Sequence, residues 1–284
     1  MSLDKSAISH DITLPSGTRI RYYEYGPTDG YPVLLLHGSG PGATGWSNFS
    51  GNIEQIGDAG FRVIAPDMPG WGASDPVATD DLDHAASALE FLDAMGIEKA
   101  AFVGNSMGGH TSIRFATLHP DRISHLMTMG PPLGKVPSLN GVSGLSEGLK
   151  VLIETYVSPT EANMKRLVEV MTFDNARFAT PELIAARTEA TNAVPEHVQN
   201  YVEGLPKGSP IPVWVDRDKV GDIRIPALFI HGKDDRVVPF ENSLWLLANV
   251  LNSRAVLLNQ CGHWAMIEHA EEFNRLVIDF VANN

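Results

Sequence analysis

Apolar residues in this chain fall into short, almost continuous runs at 33–36 (VLLL), 61–65 (FRVIA) and 100–104 (AAFVG), each separated from the next by a stretch with helical periodicity. Runs of this length without polar alternation predict strands covered on both faces, as in a mainly parallel sheet. Gly60 and Gly96 stand just before the second and third runs, where helix C-caps belong. Ahead of them, 12–14 and 19–25 alternate around the turn Pro15-Ser16-Gly17 in the manner of a hairpin. Residues 123–129 predict a further strand, after which the rhythm stops. Between about 138 and 210 the pattern is of four or so helices, around 145–156, 161–171, 181–192 and 195–203, with no strong strand signal among them. The alternation resumes with strands at 225–230 and 255–258 and closes with a helix over 271–281. These elements predict an α/β fold: an eight-stranded, mainly parallel sheet with helices on both faces and an inserted helical cap. Residues 1–137 and 211–284 form the expected core and 138–210 the expected cap. The chain contains no internal repeat and no low-complexity segment.

A length of 284 residues at 43% hydrophobic composition supports one large domain carrying a smaller insertion. The formal charge of -13, with no Lys/Arg run to reverse it locally, argues against nucleic acid and acidic membrane surfaces as partners. The single cysteine, Cys261, excludes an internal disulfide and any cysteine-based zinc cluster. The opening MSLDKSAISHD has neither a secretory nor an Arg-rich targeting pattern, and no apolar run approaches the roughly 18 residues that span a bilayer. The expectation is a cytoplasmic protein.

Candidate chemistry gathers at strand ends. After the first run, HGSGPGATGW holds Gly40, Gly42 and Gly45 in G-x-G-x-x-G spacing, the dinucleotide fingerprint, with Asp67 near the end of the next strand as a possible ribose ligand. Pro41, however, removes an N–H from the middle of that supposed phosphate cradle. The third strand supplies another explanation. It runs into Gly104-Asn105-Ser106-Met107-Gly108, a G-x-S-x-G between a strand and a helix. A serine on so sharp a turn has a crowded backbone, so the residues two before and two after it must be small. Such a turn lifts Ser106 Oγ clear of the sheet and aims the Met107 N–H at the same point.

A hydroxyl is a weak nucleophile until a base takes its proton, and a histidine base needs a carboxylate to hold its tautomer. The late strands lead into HGKDDRVVP and QCGHWAMIEH, so the chain order nucleophile, acid, histidine groups Asp235 and His263 with Ser106. Asp234 is the rival acid; the spacing from Gly232 to Pro239, G-x-x-D-x-x-x-P, favours Asp235. The turn His37-Gly38-Ser39-Gly40 then lies where a second oxyanion donor is needed opposite Met107. Its glycines let backbone approach a reacting carbonyl rather than a pyrophosphate, and Asp67 becomes a turn residue. Of the other histidines, His37 is expected to brace this turn, His231 to end a strand and His269 to begin the last helix. Cys261, with no second base near it, is expected to be a small buried residue.

With these residues in place the chain resembles the α/β-hydrolase superfamily over essentially its whole length. More narrowly it resembles the meta-cleavage product hydrolases, which cleave a carbon-carbon bond of 2-hydroxy-6-oxohexa-2,4-dienoates. HGSGPGATGWSNF, GNSMGGH, GKDDRVVP and CGHWAMIEHAEEFNRLVIDF carry that narrower likeness. The resemblance implies an oxyanion hole made by the backbone N–H groups of Ser39 and Met107. It also implies a dienoate pocket lined by Asn105, Arg187 in LIAARTEA, and Trp264, with Asn48, Gly38 and Gly40 alongside. A substrate carboxylate approaching a protein of charge -13 needs a local cation, which on separate grounds suits Arg187. Two departures from the family fall at the distal end of the pocket: Thr188 stands where some relatives carry a bulky aromatic, and 134–149 matches poorly. Candidate walls there are Phe173, Phe178, Leu133, Met171 and Trp214.

The implied reaction is hydrolysis of a vinylogous 1,5-diketone through an acyl-serine, with a small-molecule dienoate as partner and no metal or organic cofactor. As in relatives, a homo-oligomer, dimer or larger, is expected. Two other readings of the same residues stay open. One is a carboxylesterase of the same fold; the other is a non-catalytic ligand receptor on this scaffold, against which an intact triad argues.

Overall fold

A computed structural model describes residues 3–134, 136 and 144–284. Strands β1 (Ser9–Thr13) and β2 (Arg19–Tyr25) form the expected hairpin, pairing Ile12 with Ile20, with Gly17 at φ 92° in the turn. Strands β3 (Tyr31–Leu36), β4 (Phe61–Pro66), β5 (Ala100–Asn105), β6 (Ile123–Met129), β7 (Ala227–Gly232) and β8 (Ser253–Leu258) complete one eight-stranded sheet. Its order is β1-β2-β4-β3-β5-β6-β7-β8. The first two strands are antiparallel to their neighbours, and every pair from β4 to β8 is parallel. β5 is buried at all six positions, which is why its sequence lacks polar alternation.

Helices α1 (Gly45–Asp58), α2 (His84–Ala94) and α3 (Met107–Leu118) connect the first parallel strands. Thr44 and Ser47 close a reciprocal capping box at the start of α1. Asp83 caps α2 while its carboxylate also binds Arg114 of α3, tying the two helices together. Gly60 and Gly96 adopt φ of 96° and 65°, the left-handed conformation that a helix stop of this kind requires.

Between β6 and β7 the described chain is helical: α4 (Glu147–Val157), α5 (Glu161–Met171), α6 (Asn175–Phe178), α7 (Pro181–Asn192) and α8 (Pro195–Gly204). Ser146, Thr160 and Thr180 cap α4, α5 and α7 through side-chain oxygens, and Pro181 and Pro195 open α7 and α8. The single turn α6 was not expected; Asp174 caps it, and four residues are too few for a periodic signal. The expected start of the insertion at 138, and part of the poorly matching stretch 134–149, lie outside the described residues.

α9 (Glu241–Asn249), α10 (Ala265–Glu268) and α11 (Ala270–Asn283) complete the chain. The strand expected at 225–230 begins instead at Ala227, because Pro226 has no N–H for the ladder, and it extends through His231 and Gly232. No described helix is long and apolar enough to cross a membrane. Because β3, β5, β7 and β8 run parallel, the loops that follow them emerge on one edge of the sheet, where the chemistry-bearing motifs meet.

Candidate active site

Ser106 sits between β5 and α3 with φ 53° and ψ -114°, one of two described non-glycine residues with positive φ. That strained corner is held by its own backbone: Ser106 N–H donates to Met129 O at 2.7 Å, and His110 N–H donates to Ser106 O at 2.9 Å. The flanking glycines are sterically required. A Cβ on Gly104 would stand 2.2 Å from Gly108 O, and one on Gly108 would stand 2.1 Å from Leu36 O.

The loops after β7 and β8 bring Asp235 and His263 together, with His263 Nδ1 2.7 Å from Asp235 Oδ2. Asp235 Oδ1 accepts from the N–H groups of Val237 and Val238 at 2.7 and 3.0 Å. Burial alone would raise this carboxyl, but His263 and His231, through charge and hydrogen bonds, favour the charged form and hold it well below the usual carboxylate range. Asp234 does not reach the imidazole; its N–H is paired with Cys261 O. Gly130, at φ 56°, packs against the pair: a Cβ there would lie 2.9 Å from His263 Cε1 and 3.1 Å from Asp235 Oδ2.

Ser106 and His263 open on a common cavity that is also lined by Gly38, Ser39, Gly40, Asn48, Asn105, Arg187 and Trp264. The serine hydroxyl and the imidazole line this cavity without a hydrogen bond between them. Met107 begins α3, so its N–H is unused by the helix, and among the described residues the Ser39 N–H has no protein acceptor. His37 braces the Ser39 turn, with Nδ1 2.7 Å from Gly38 O and Nε2 accepting from Met68 N–H at 2.8 Å; burial lowers its pKa to about 4, so it stays neutral. Tyr156 adds a brace that the sequence did not reveal: its hydroxyl donates to Ser39 O at 2.7 Å and accepts from Trp71 Nε1 at 3.0 Å.

Arg187 is 2% exposed, and among the described residues no carboxylate pairs with it. Its guanidinium lies over the Trp264 ring, with Cζ 4.3 Å from the ring centre, and Nη2 reaches Asn48 Oδ1 at 3.5 Å. Nε has no partner. Burial pushes its pKa down to about 10, still charged at neutral pH. Asn105 Nδ2 donates weakly to Met129 O and His263 O, while its buried Oδ1 has no partner. Cation and amide are thus both under-satisfied within one cavity, an arrangement suited to an anionic, hydrogen-bonding guest.

The distal walls differ from expectation. Met171 lines the cavity, joined by Leu152, which sequence reasoning missed because it is one apolar position among many on α4. Phe173 and Trp214 are each 46% exposed and, like Phe178 and Leu133, do not line it. Phe173 follows α5 in a short connection with no periodicity to orient it, and Trp214 lies in an irregular stretch beside His110. Cys261 is buried, and burial raises its thiol pKa, so it stays protonated. Asp67 accepts from Gly45 N–H and Ala73 N–H, the bonding of a turn residue.

A sequence model of the alpha/beta hydrolase family matches residues 33–276. The 2-hydroxy-6-oxo-6-phenylhexa-2,4-dienoate hydrolase of Comamonas testosteroni is 39% identical over 92% of this chain and 91% of its own. The 2-hydroxy-6-oxononadienedioate/2-hydroxy-6-oxononatrienedioate hydrolase of Paraburkholderia xenovorans is 42% identical over 88% of this chain and 86% of its own. Among solved structures, a meta-cleavage product hydrolase from Pseudomonas fluorescens superposes with a TM-score of 0.84 at 30% identity, covering 97% of this chain and 98% of that one.

Proposed function

Because this chain belongs to the alpha/beta hydrolase family, and within it to the meta-cleavage product hydrolases, we propose that it hydrolyses the carbon-carbon bond of 2-hydroxy-6-oxohexa-2,4-dienoates through Ser106, His263 and Asp235. The observation that carries the reading is Arg187, a buried cation without a carboxylate partner, stacked on Trp264 in the cavity that also holds Ser106. A simple ester would make no use of it; a dienoate brings the missing carboxylate.

In the proposed pose the carboxylate and 2-hydroxy group lie toward Arg187 and Asn105, and the 6-oxo group lies over Ser106. Ketonisation moves the hydroxyl proton to carbon 5. His263, oriented by Asp235, takes the Ser106 proton as Oγ adds to carbon 6, and the Ser39 and Met107 N–H groups hold the oxyanion, each donor worth about 3 kcal/mol. The bond between carbons 5 and 6 then breaks, its electron pair passing into a dienolate that His263 reprotonates. 2-Hydroxypenta-2,4-dienoate leaves, and water attacks the acyl-serine with His263 as base, releasing the carboxylic acid and restoring the hydroxyl. The helices α4–α8 act as the cap that closes this cavity, supplying Leu152, Met171 and Arg187.

The test is stopped-flow absorbance with the 6-phenyl dienoate beside the nonadienedioate that the second kind of relative acts on. Rapid loss of the dienolate band with one equivalent of acid released supports the proposal, and the ratio of kcat/KM values assigns the distal substituent. Ester turnover with neither dienoate consumed would return the site to the esterase reading.

A further inference from the structure

Asp235 holds two histidines, and only one of them lines the cavity. His231, on β7, places Nε2 3.1 Å from Asp235 Oδ2, the same oxygen that His263 Nδ1 meets at 2.7 Å. Its tautomer follows from its partners. Nε2 also lies 3.0 Å from Val238 O, and since neither a carboxylate nor a carbonyl can donate, Nε2 carries the proton. Nδ1 meets the Ser243 hydroxyl at 2.7 Å, presented by α9, a group able to donate to it or accept from it. Both His231 and Ser243 are buried, so this chain of donors is fixed by packing.

We propose that His231 is a positioning residue for the catalytic pair: its Nε2–H holds Asp235 Oδ2 in line with His263 and shares that oxygen's negative charge between two donors. The proposal rests on the reading in which His263 is the general base. Charge that Oδ2 gives to His231 is withdrawn from His263, so the protonated form of His263 is stabilised less than by a carboxylate that serves one histidine alone. The other titratable groups on the elements packed around His263 are Asp234 and Arg236 on the Asp235 loop, the latter bonded to Thr172 O, Cys261 on its own loop, Glu268 on α10 through Gly262 N–H, and Arg187 across Trp264.

The experiment is the pH dependence of kcat/KM for p-nitrophenyl acetate and the 6-phenyl dienoate, with His231→Phe, His231→Gln and Ser243→Ala, and Ser106→Ala as control. Removing the donor in His231→Phe is expected to move the acid limb upward by about half a pH unit or more. It should also shift the low-field proton resonance of His263 Nδ1 further downfield. His231→Gln, whose amide donor occupies the Nε2 position, should restore both toward the parent. Ser243→Ala should move them part of the way, because the imidazole is then free to carry its proton on Nδ1. A folded His231→Phe protein with an unmoved limb, even with activity lowered uniformly at every pH, would overturn the proposal. If that variant does not fold, an unmoved limb and resonance in Ser243→Ala overturns it instead. Failure of the underlying reading looks different: Ser106→Ala would keep its turnover.

Discussion

The Arg187 guanidinium lies 4.3 Å from the centre of the Trp264 ring, and this contact joins α7 to the loop that carries His263. A tryptophan face offsets part of a cation's desolvation but does not replace a counter-ion. The protein therefore maintains a buried charge at a cost to its own stability, and a bound carboxylate would relieve that cost. In the proposed pose positioning and binding are coupled, since the residue after the candidate base is also the ring beneath Arg187.

Arg187→Gln should lower kcat/KM for the dienoate about 10²- to 10³-fold, the equivalent of about 3–4 kcal/mol for a buried charge pair. Hydrolysis of p-nitrophenyl acetate, which has no carboxylate to place, should change little. The same variant should melt at a higher temperature, because an unpaired buried charge is gone. Parallel losses on both substrates would mean that Arg187 acts on the triad or the fold rather than on the substrate carboxylate.

Ser106→Ala separates the two halves of the proposed reaction. Single-turnover spectra should show the dienolate band convert to a keto species while acid release falls by about 10⁴-fold or more. Undiminished acid release would remove Ser106 from the role of nucleophile.

Gly130→Ala tests the packing behind the imidazole. The new methyl group would stand 2.9 Å from His263 Nδ1 and 3.1 Å from Asp235 Oδ2, on a backbone at φ 56° that disfavours a side chain. The backbone effect alone should cost about 1 kcal/mol of stability. Displacement of the pair should lower kcat for both dienoate and ester with KM nearly constant. Full activity with lowered stability would show that the imidazole yields without loss of function.

Much of this site was legible because its signals are local. The Ser106 elbow, the Gly60 and Gly96 stops and the apolar strands each depend on neighbours within a few residues, so spacing alone announces them. Arg187 reaches Asn48 across 139 positions, and Tyr156 reaches Ser39 across 117, through helix faces whose orientation no short-range pattern records. His231 was readable as the end of a strand but not as a second donor to Asp235, because that bond depends on how the turn after β7 folds back. Phe173 and Trp214 illustrate the opposite failure: large aromatics near a pocket motif invite assignment to its wall, yet irregular connections turned both toward solvent.

Asp67 gives a pH signature to the opposite face of the glycine-rich turn. Its carboxylate is buried, accepts from Gly45 N–H at 2.8 Å and Ala73 N–H at 3.0 Å, and burial, outweighing these bonds, raises its pKa to about 6. The folded value lies above the unfolded one, so between them the folded state binds more protons, and this group's contribution to stability declines as pH rises from about 4 to about 6. Two units correspond to at most about 3 kcal/mol. Asp67→Asn cannot accept at both oxygen positions and should be less stable throughout, but it lacks the titration. The stability gap between parent and variant, from urea unfolding midpoints and slopes, should therefore narrow across that interval and stay constant above it. A gap that widens with pH would mean that Asp67 is ionised in the folded protein well below 6 and that its two backbone donors outweigh its burial.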